Sequence, residues 1–307
     1  MMVARLLRRI LLLLAVSTAV PTAAQMLANQ GPPQHRLVQK HTFALRYNPL
    51  GLLYAGNLTY RSRLYEAAST ALRDNFIGGG LTATASPAFL RVGPMLEVNP
   101  LTVFGLWASV QFVQYFGTFN LYQGFASANS DFSDTALRRT AGQTTRGWEL
   151  TIGANLQFKV KSIVVRSQAR LLRPDMNGDD RIFYDQFYDL GVPNRGWFLT
   201  NDLDVVWQGL DNRLIAGARY TASVPFYDAR RHVVPGEPAP DNSNHRVGPF
   251  IGFTFKSEDG ARFNTPTVFL LVQWFLVHPY RTGVDTPRAL PLIGVGFQFT
   301  GDFLPVK

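Results

Sequence analysis

Between Trp148 and Lys161 the chain alternates without a break. The even positions read Trp148, Leu150, Ile152, Ala154, Leu156, Phe158 and Val160; the odd positions read Glu149, Thr151, Gly153, Asn155, Gln157, Lys159 and Lys161. Successive side chains of a strand point to opposite faces, so this segment has one apolar face and one polar face. The following segment answers it. Ile163, Val165, Ala169 and Leu171 share one parity, and Arg166, Gln168 and Arg170 share the other. Only Val160-Lys161-Ser162 separates the two, which predicts a tight hairpin.

The same pattern recurs over Gly51–Leu64, Ala88–Val98, Thr102–Phe116, Trp197–Gln208, Arg213–Val224, Arg246–Lys256, Thr267–His278 and Pro291–Phe303. These runs reach about eleven to fifteen residues, whereas strands of ordinary globular proteins average about five or six. A strand crossing a bilayer at a barrel's tilt needs roughly 9–11 residues. In lipid the apolar face turns outward and the polar face lines the lumen. Connection lengths alternate as well. Asn99-Pro100, Val160-Lys161-Ser162, Gly209–Asn212 and the stretch around Glu258-Asp259-Gly260 are short; 65–87, 117–147, 174–196 and 226–245 are long and polar. The expectation is an all-β, antiparallel, up-and-down transmembrane β-barrel over 51–303, with residues 304–307 as a tail. Its strands number ten. Residues 25–50 form a periplasmic lead-in or a short first strand at His41–Tyr47. Twelve strands is the alternative if Asn75–Ala85 also pairs, against which Gly78-Gly79-Gly80 argues.

Residues 1–24 read as a cleavable leader. Arg5, Arg8 and Arg9 precede an apolar run from Leu11 to Val20, and Thr22-Ala23-Ala24 supplies small residues before Gln25. The apolar run is too short for a spanning helix, which needs roughly 20 residues. Losing the leader takes the formal charge from +9 to +6. The remaining cations are dispersed along strands, so a nucleic-acid partner is not expected. There are no cysteines, which excludes disulfides, thiol nucleophiles and cysteine-ligated metals. At 13% aromatic and 17% charged residues, the chain carries more apolar surface than a soluble protein of this length needs.

The mature chain resembles small outer-membrane β-barrel proteins of Gram-negative bacteria, and Tyr47-Asn48-Pro49-Leu50-Gly51-Leu52-Leu53-Tyr54 is similar to the opening strand of several uncharacterised members. The resemblance implies residence in the outer membrane, with its lipid and the barrel assembly machinery as partners. Members often end in an aromatic residue that the machinery reads; here the chain ends Phe303-Leu304-Pro305-Val306-Lys307, so Phe303 or Phe299 would take that role.

Alternation directs Arg61, Arg63, Arg91, Lys159, Lys161, Arg166, Arg170, Arg213, Arg219, Arg246 and Lys256 into the lumen, opposed by Glu97, Glu149, Asp202 and Asp204. Either these charges pair and fill a narrow lumen, or the basic surplus favours small anions in a passage; the filled lumen is preferred. Trp107, Trp148, Trp197, Trp207, Trp274, Tyr54, Tyr60, Tyr115 and Tyr220 are candidates for interfacial girdles. The loop Asp175-Met176-Asn177-Gly178-Asp179-Asp180-Arg181-Ile182 offers Asp175, Asn177, Asp179 and Asp185 as candidate calcium ligands. It departs from the calcium pattern at Asp180 and Gln186, so a plain Asp/Asn turn is preferred, and no cofactor is expected otherwise. No catalytic residue is assigned. Of the five histidines, His35, His41, His232, His245 and His278, none has a serine within two residues after it. The expected role is structural or surface-interacting, with a narrow anion-preferring pore as its extension. A lipid-acting outer-membrane enzyme and a soluble periplasmic protein binding an apolar ligand are the alternatives.

Overall fold

The computed structural model describes residues 32–255, 262–281 and 289–304. Twelve antiparallel strands close into one barrel, β1 (His35–Tyr47), β2 (Gly51–Ser62), β3 (Phe76–Ser86), β4 (Phe89–Leu101), β5 (Phe104–Phe116), β7 (Thr144–Val160), β8 (Ile163–Met176), β11 (Trp197–Gly209), β12 (Leu214–Phe226), β13 (Asn244–Thr254), β14 (Asn264–Val277) and β15 (Leu292–Asp302). Each pairs with its neighbour in chain order, and β1 closes on β15 from Val38↔Asp302 to Tyr47↔Ile293. A second sheet of three short strands, β6 (Tyr122–Phe125), β9 (Ile182–Asp185) and β10 (Leu190–Pro193), comes from two of the long connections.

Twelve strands replace the ten expected. Twelve is the alternative the sequence leaves open: the first strand is offered at His41–Tyr47, and only β3 lies where a local signal, its glycines, speaks against it. The strand at the N-terminal side starts six residues before His41, and β3 runs through Gly78-Gly79-Gly80 inside the stretch expected to be a long loop. Pairing along both edges holds β3 despite its glycines. On the lumen side, Gly78 lies between Arg61 and Glu97 in the ladder. A Cβ there would sit 2.8 Å from the Tyr60 carbonyl oxygen and 3.1 Å from Arg61 Cγ, so glycine leaves the path open for an ion pair to bridge β2 and β4 over β3. The short turn expected at Asn99-Pro100 falls instead at 102–103, because β4 runs on to Leu101 with a register irregularity after Val98.

One end of the barrel carries both described termini and the connections 63–75, 102–103, 161–162, 210–213 and 255–263. The other carries 48–50, 87–88, 117–143, 177–196, 227–243 and 278–291. We call these the turn end and the loop end. Helix α1 (Thr70–Arg73) lies at the turn end, and α2 (Asp134–Arg139) belongs to the loop end.

The outer surface is apolar along mid-strand, with Leu58, Leu81, Leu96, Val110, Ile152 and Val295 all exposed. Aromatic residues collect at both rims: Tyr47, Trp148, Phe226 and Trp274 toward the loop end, and Tyr60, Phe158, Trp207 and Phe263 toward the turn end. Two aromatic belts around an apolar band suit a bilayer, where amphipathic rings prefer the headgroup level. Two expected girdle residues are inside instead. Tyr115 is buried and bonded to the inner sheet, and Trp107 lies over Gly153, where its indole leaves no room for a Cβ.

Ile152 sits at the middle of β7, faces outward and is 44% exposed, while Leu156 faces outward nearer the turn end. An arginine on the lipid face costs about 2–4 kcal/mol at midplane and about 0–1 near the interfaces. Folding into lipid vesicles is therefore expected to fall sharply for Ile152→Arg, less for Leu156→Arg, and little for the lumen-facing Asn155→Arg. Equal losses at all three would reverse the assignment of faces.

Candidate functional site: a basic lumen closed by an inner sheet

The inner sheet occupies the loop-end half of the lumen. Its residues Ile182, Leu190 and Val192 are fully buried, and an aromatic cluster of Tyr115, Tyr122, Phe183, Tyr188 and Phe198 joins it to the wall. The polar anchors are stronger in character. Arg91, on β4, is buried and forks its guanidinium between Asp185 Oδ2 at 2.9 Å and the Tyr188 and Tyr115 hydroxyls at 2.8 Å. Glu149, on β7, lies 3.7 Å from the same guanidinium. Tyr115 donates to Asp185 as well, at 2.7 Å. Three strands around the wall, Arg46 on β1 donates to the carbonyls of Gln186 and Phe187.

A second anchor holds the turn between β9 and β10. Asp189 is 1% exposed. Its carboxylate accepts from the Tyr184 hydroxyl and from Arg281 at 3.3 Å, and His278 Nε2 lies 3.0 Å away. Burial alone would raise this carboxyl, yet His278, Arg281 and Tyr184 together hold it well below the usual carboxylate range. Asn244, on β13, donates to the Asp189 carbonyl. The sheet is thus tied to β1, β4, β5 and β13 at their loop ends.

Below the sheet, the lumen is lined with charge. Arg61 pairs with Glu97 at 2.6 Å, Arg170 with Asp202 at 3.0 Å, and Arg36 with Asp302 at 3.1 Å. Asp204, 1% exposed, takes both Arg166 and Arg219 at 2.6 Å. Several cations lack a carboxylate partner. Lys159 donates to the neutral oxygens of Gln208 and Asn212. Lys40 is inward-facing and exposed, with no polar partner among the described residues. Arg246 is buried over the Phe275 ring, and its Nε and Nη1 atoms have no hydrogen-bond partner.

Of the predicted lumen residues, the fold places Arg61, Arg91, Lys159, Arg166, Arg170, Arg219 and Arg246 inside with all four acids. Arg63, Lys161 and Arg213 lie at the turn-end rim. Arg63 pairs with Glu66, Lys161 occupies the β7–β8 turn, and Arg213 donates to the Thr254 carbonyl. Lys256 lies outside the described residues. Sequence reasoning missed Arg36, Lys40 and Arg46, although their shared even parity in β1 is a legible signal once β1 counts as a strand.

The candidate calcium residues are not gathered at one point. Asp175 pairs with Arg195 at 2.7 Å, and Asp185 faces Arg91 and Tyr115. Among the described residues, no three acidic or histidine side chains are grouped to hold a metal ion. The histidines are likewise engaged elsewhere. His41 and His245 bond the Tyr54 and Tyr220 hydroxyls on the outer face, His35 stacks on Tyr60, and His278 faces Asp189.

Proteins of Gram-negative outer membranes are among the solved structures similar to the barrel. It is similar to OccAB1 of Acinetobacter baumannii, at 6% identity over 88% of this chain and 96% of that one, with a TM-score of 0.41. It is similar to Salmonella typhi OmpF, solved in complex with daunomycin, at 9% identity over 87% and 97%, with a TM-score of 0.37. The β domain of the Bordetella autotransporter BrkA gives 12% identity over 87% and 99%, with a TM-score of 0.41. No family model and no curated protein matches the chain.

Two outcomes are expected of the inner-sheet anchors. Arg91→Met leaves Glu149 and Asp185 buried without their cation, a change that costs about 3–5 kcal/mol. Urea unfolding is expected to shift accordingly, and residues 182–193 to become open to protease. The second concerns His232, 1% exposed, which links two outer loops. Its Nδ1 accepts from the Asp228 amide at 3.0 Å and its Nε2 meets the Asn194 carbonyl at 3.0 Å. That pattern fixes a neutral ring, and burial lowers its pKa below the ordinary 6.5. The link is therefore intact above 6.5 and lost as pH falls through the lower folded value. Protection factors for amide exchange in 228–234, corrected for the intrinsic rate, are expected to fall in acid, and His232→Gln to remove that dependence.

Proposed function

We propose that this chain is a non-enzymatic outer-membrane barrel that rests closed and whose lumen favours anions. The observation that carries this reading is the inner sheet, held across the loop-end mouth by the buried anchors at Arg91 and Asp189. A plug tied to opposite walls by desolvated ion pairs does not drift aside with small thermal displacements. The apolar band and paired aromatic belts support membrane residence. The predicted leader supports export, with the turn end in the periplasm and the loop end outside, the usual arrangement of such barrels.

The anion preference rests on cations that form no direct ion pair with a carboxylate among the described residues, namely Lys40, Lys159, Arg46 and Arg246. Fixed positive charge inside a narrow aqueous path concentrates anions and repels cations. The catalytic alternative draws no comparable support. Among the described residues no histidine is hydrogen-bonded to a serine, and His278 is spent on holding Asp189. No cofactor belongs to this reading, and the acidic loop is read as an Asp/Asn turn leading into β9.

In planar bilayers the purified barrel is expected to show little conductance, with brief openings. Replacing residues 179–193 with a short Gly/Ser linker is expected to produce steady conductance with more anion than cation current. A large steady conductance from the unmodified chain would remove the closed-barrel reading. Cation-selective current from the linker variant would remove the anion preference.

A further inference from the structure

A cavity of about 520 Å3 opens at the turn end of the lumen and reaches inward to Asp204. Small-molecule sites commonly measure roughly 300–1,000 Å3. Its walls differ in character. Val164, Val206, Ile215 and Phe250 line it, each on the inward parity of its strand. Val164 and Ile215 are half-buried, whereas Val206 and Phe250 are buried, with the Arg219 guanidinium 4.6 Å over the Phe250 ring; the apolar surface still open in the cavity is unfavourable while it faces water. The inner sheet does not cover them, since it sits in the other half of the barrel.

The remaining wall carries Lys159 and Arg166. Arg166 shares the Asp204 carboxylate with Arg219, and with Arg170 and Asp202 beside them three guanidinium groups meet two carboxylates. Lys159 is steadied by amide oxygens that leave its charge intact. A small inorganic anion would answer the cations and leave the apolar wall wet. A neutral apolar ligand would do the reverse. One class of ligand answers both walls.

We propose that this chamber binds an organic anion with an apolar body, an aryl or alkyl carboxylate, its acid group toward Arg166 and Lys159 and its body against Val206, Ile215 and Phe250. The proposal rests on the reading of the lumen as aqueous and basic, and it is independent of whether the barrel conducts. The chamber faces the turn end, so the ligand enters from that side with the inner sheet in place.

The test is calorimetric titration of the full barrel, reconstituted in zwitterionic nanodiscs, with empty discs as the blank. The probe is 4-phenylbutyrate, compared with 4-phenylbutanol, which lacks the charge, and butyrate, which lacks the ring. The acid is expected to bind at one molecule per barrel, with both comparison compounds weaker by on the order of tenfold or more, as loss of a charge-assisted contact or of a buried ring implies. Arg166→Gln leaves Asp204 neutralised by Arg219, so the barrel is expected to fold normally and bind the acid on the order of tenfold more weakly. Lys159→Gln, at the exposed mouth, is expected to act in the same direction, and Val206→Trp to abolish binding by filling the chamber. Butyrate binding as tightly as the aryl acid would make this a simple anion site and overturn the proposal. Phenylbutanol binding as tightly, or full affinity in both Arg166→Gln and Lys159→Gln, would overturn it as apolar partition. Absence of binding would overturn it outright. A steadily conducting barrel that still binds the acid would sink the closed-barrel reading and leave this one standing.

Discussion

The closure of β1 on β15 is the contact on which the rest of the molecule depends. In hydrocarbon no water is available to satisfy a free backbone amide or carbonyl, and each unpaired group costs several kcal/mol. An open sheet of eleven or twelve strands would expose two such edges. The ladder from Val38↔Asp302 to Tyr47↔Ile293 removes both. It also places the two described chain ends side by side at the turn end, which sets the direction of every later strand and so the end at which each long connection emerges.

Closure divides the side chains into two environments by parity alone. The outward set meets lipid and is apolar with aromatic rims. The inward set meets a confined aqueous space, where burying a charge demands a partner. Much of the lumen follows from that demand. Asp204 serves two arginines, Glu97 reaches Arg61 across a glycine, and Arg91 gathers two carboxylates and two hydroxyls. The same demand explains why loops fold inward. Arg46 and Arg91 find their partners on the inner sheet, so the sheet contributes to the barrel's charge balance as well as to its closure.

Where alternation was strict, as in β7 and β8, the strand, its partner and its two faces were legible from the residues. Arg166, Arg170, Asp202 and Asp204 were placed in the lumen by parity and are found there. The reading weakened where one residue type carried two meanings. Gly78-Gly79-Gly80 looked unfit for a strand because glycine weakens isolated strands, but the Arg61–Glu97 bridge needs the space that glycine leaves. Trp107 and Tyr115 looked like girdle residues because aromatic rings favour interfaces, but both sit on the inward parity of β5. The lumen half of the site was visible. Its plug was not, because β6, β9 and β10 are four residues each and lie within stretches that read as polar loop.

The sequence by itself determined the class of structure and, for the strictly alternating strands such as β7 and β8, their length and which side meets lipid, because period-two alternation is a local property that survives without knowledge of any partner. Tertiary structure alone decided the strand count, the pairing of Asp185 with Arg91 and of Asp189 with Arg281, and the placement of the three-stranded inner sheet at the loop end. Those depend on contacts between residues some ninety positions apart in the chain, and nothing in the local pattern of either residue specifies the other. The barrel wall brings them within reach, and the cost of an unpaired buried charge makes the contact hold.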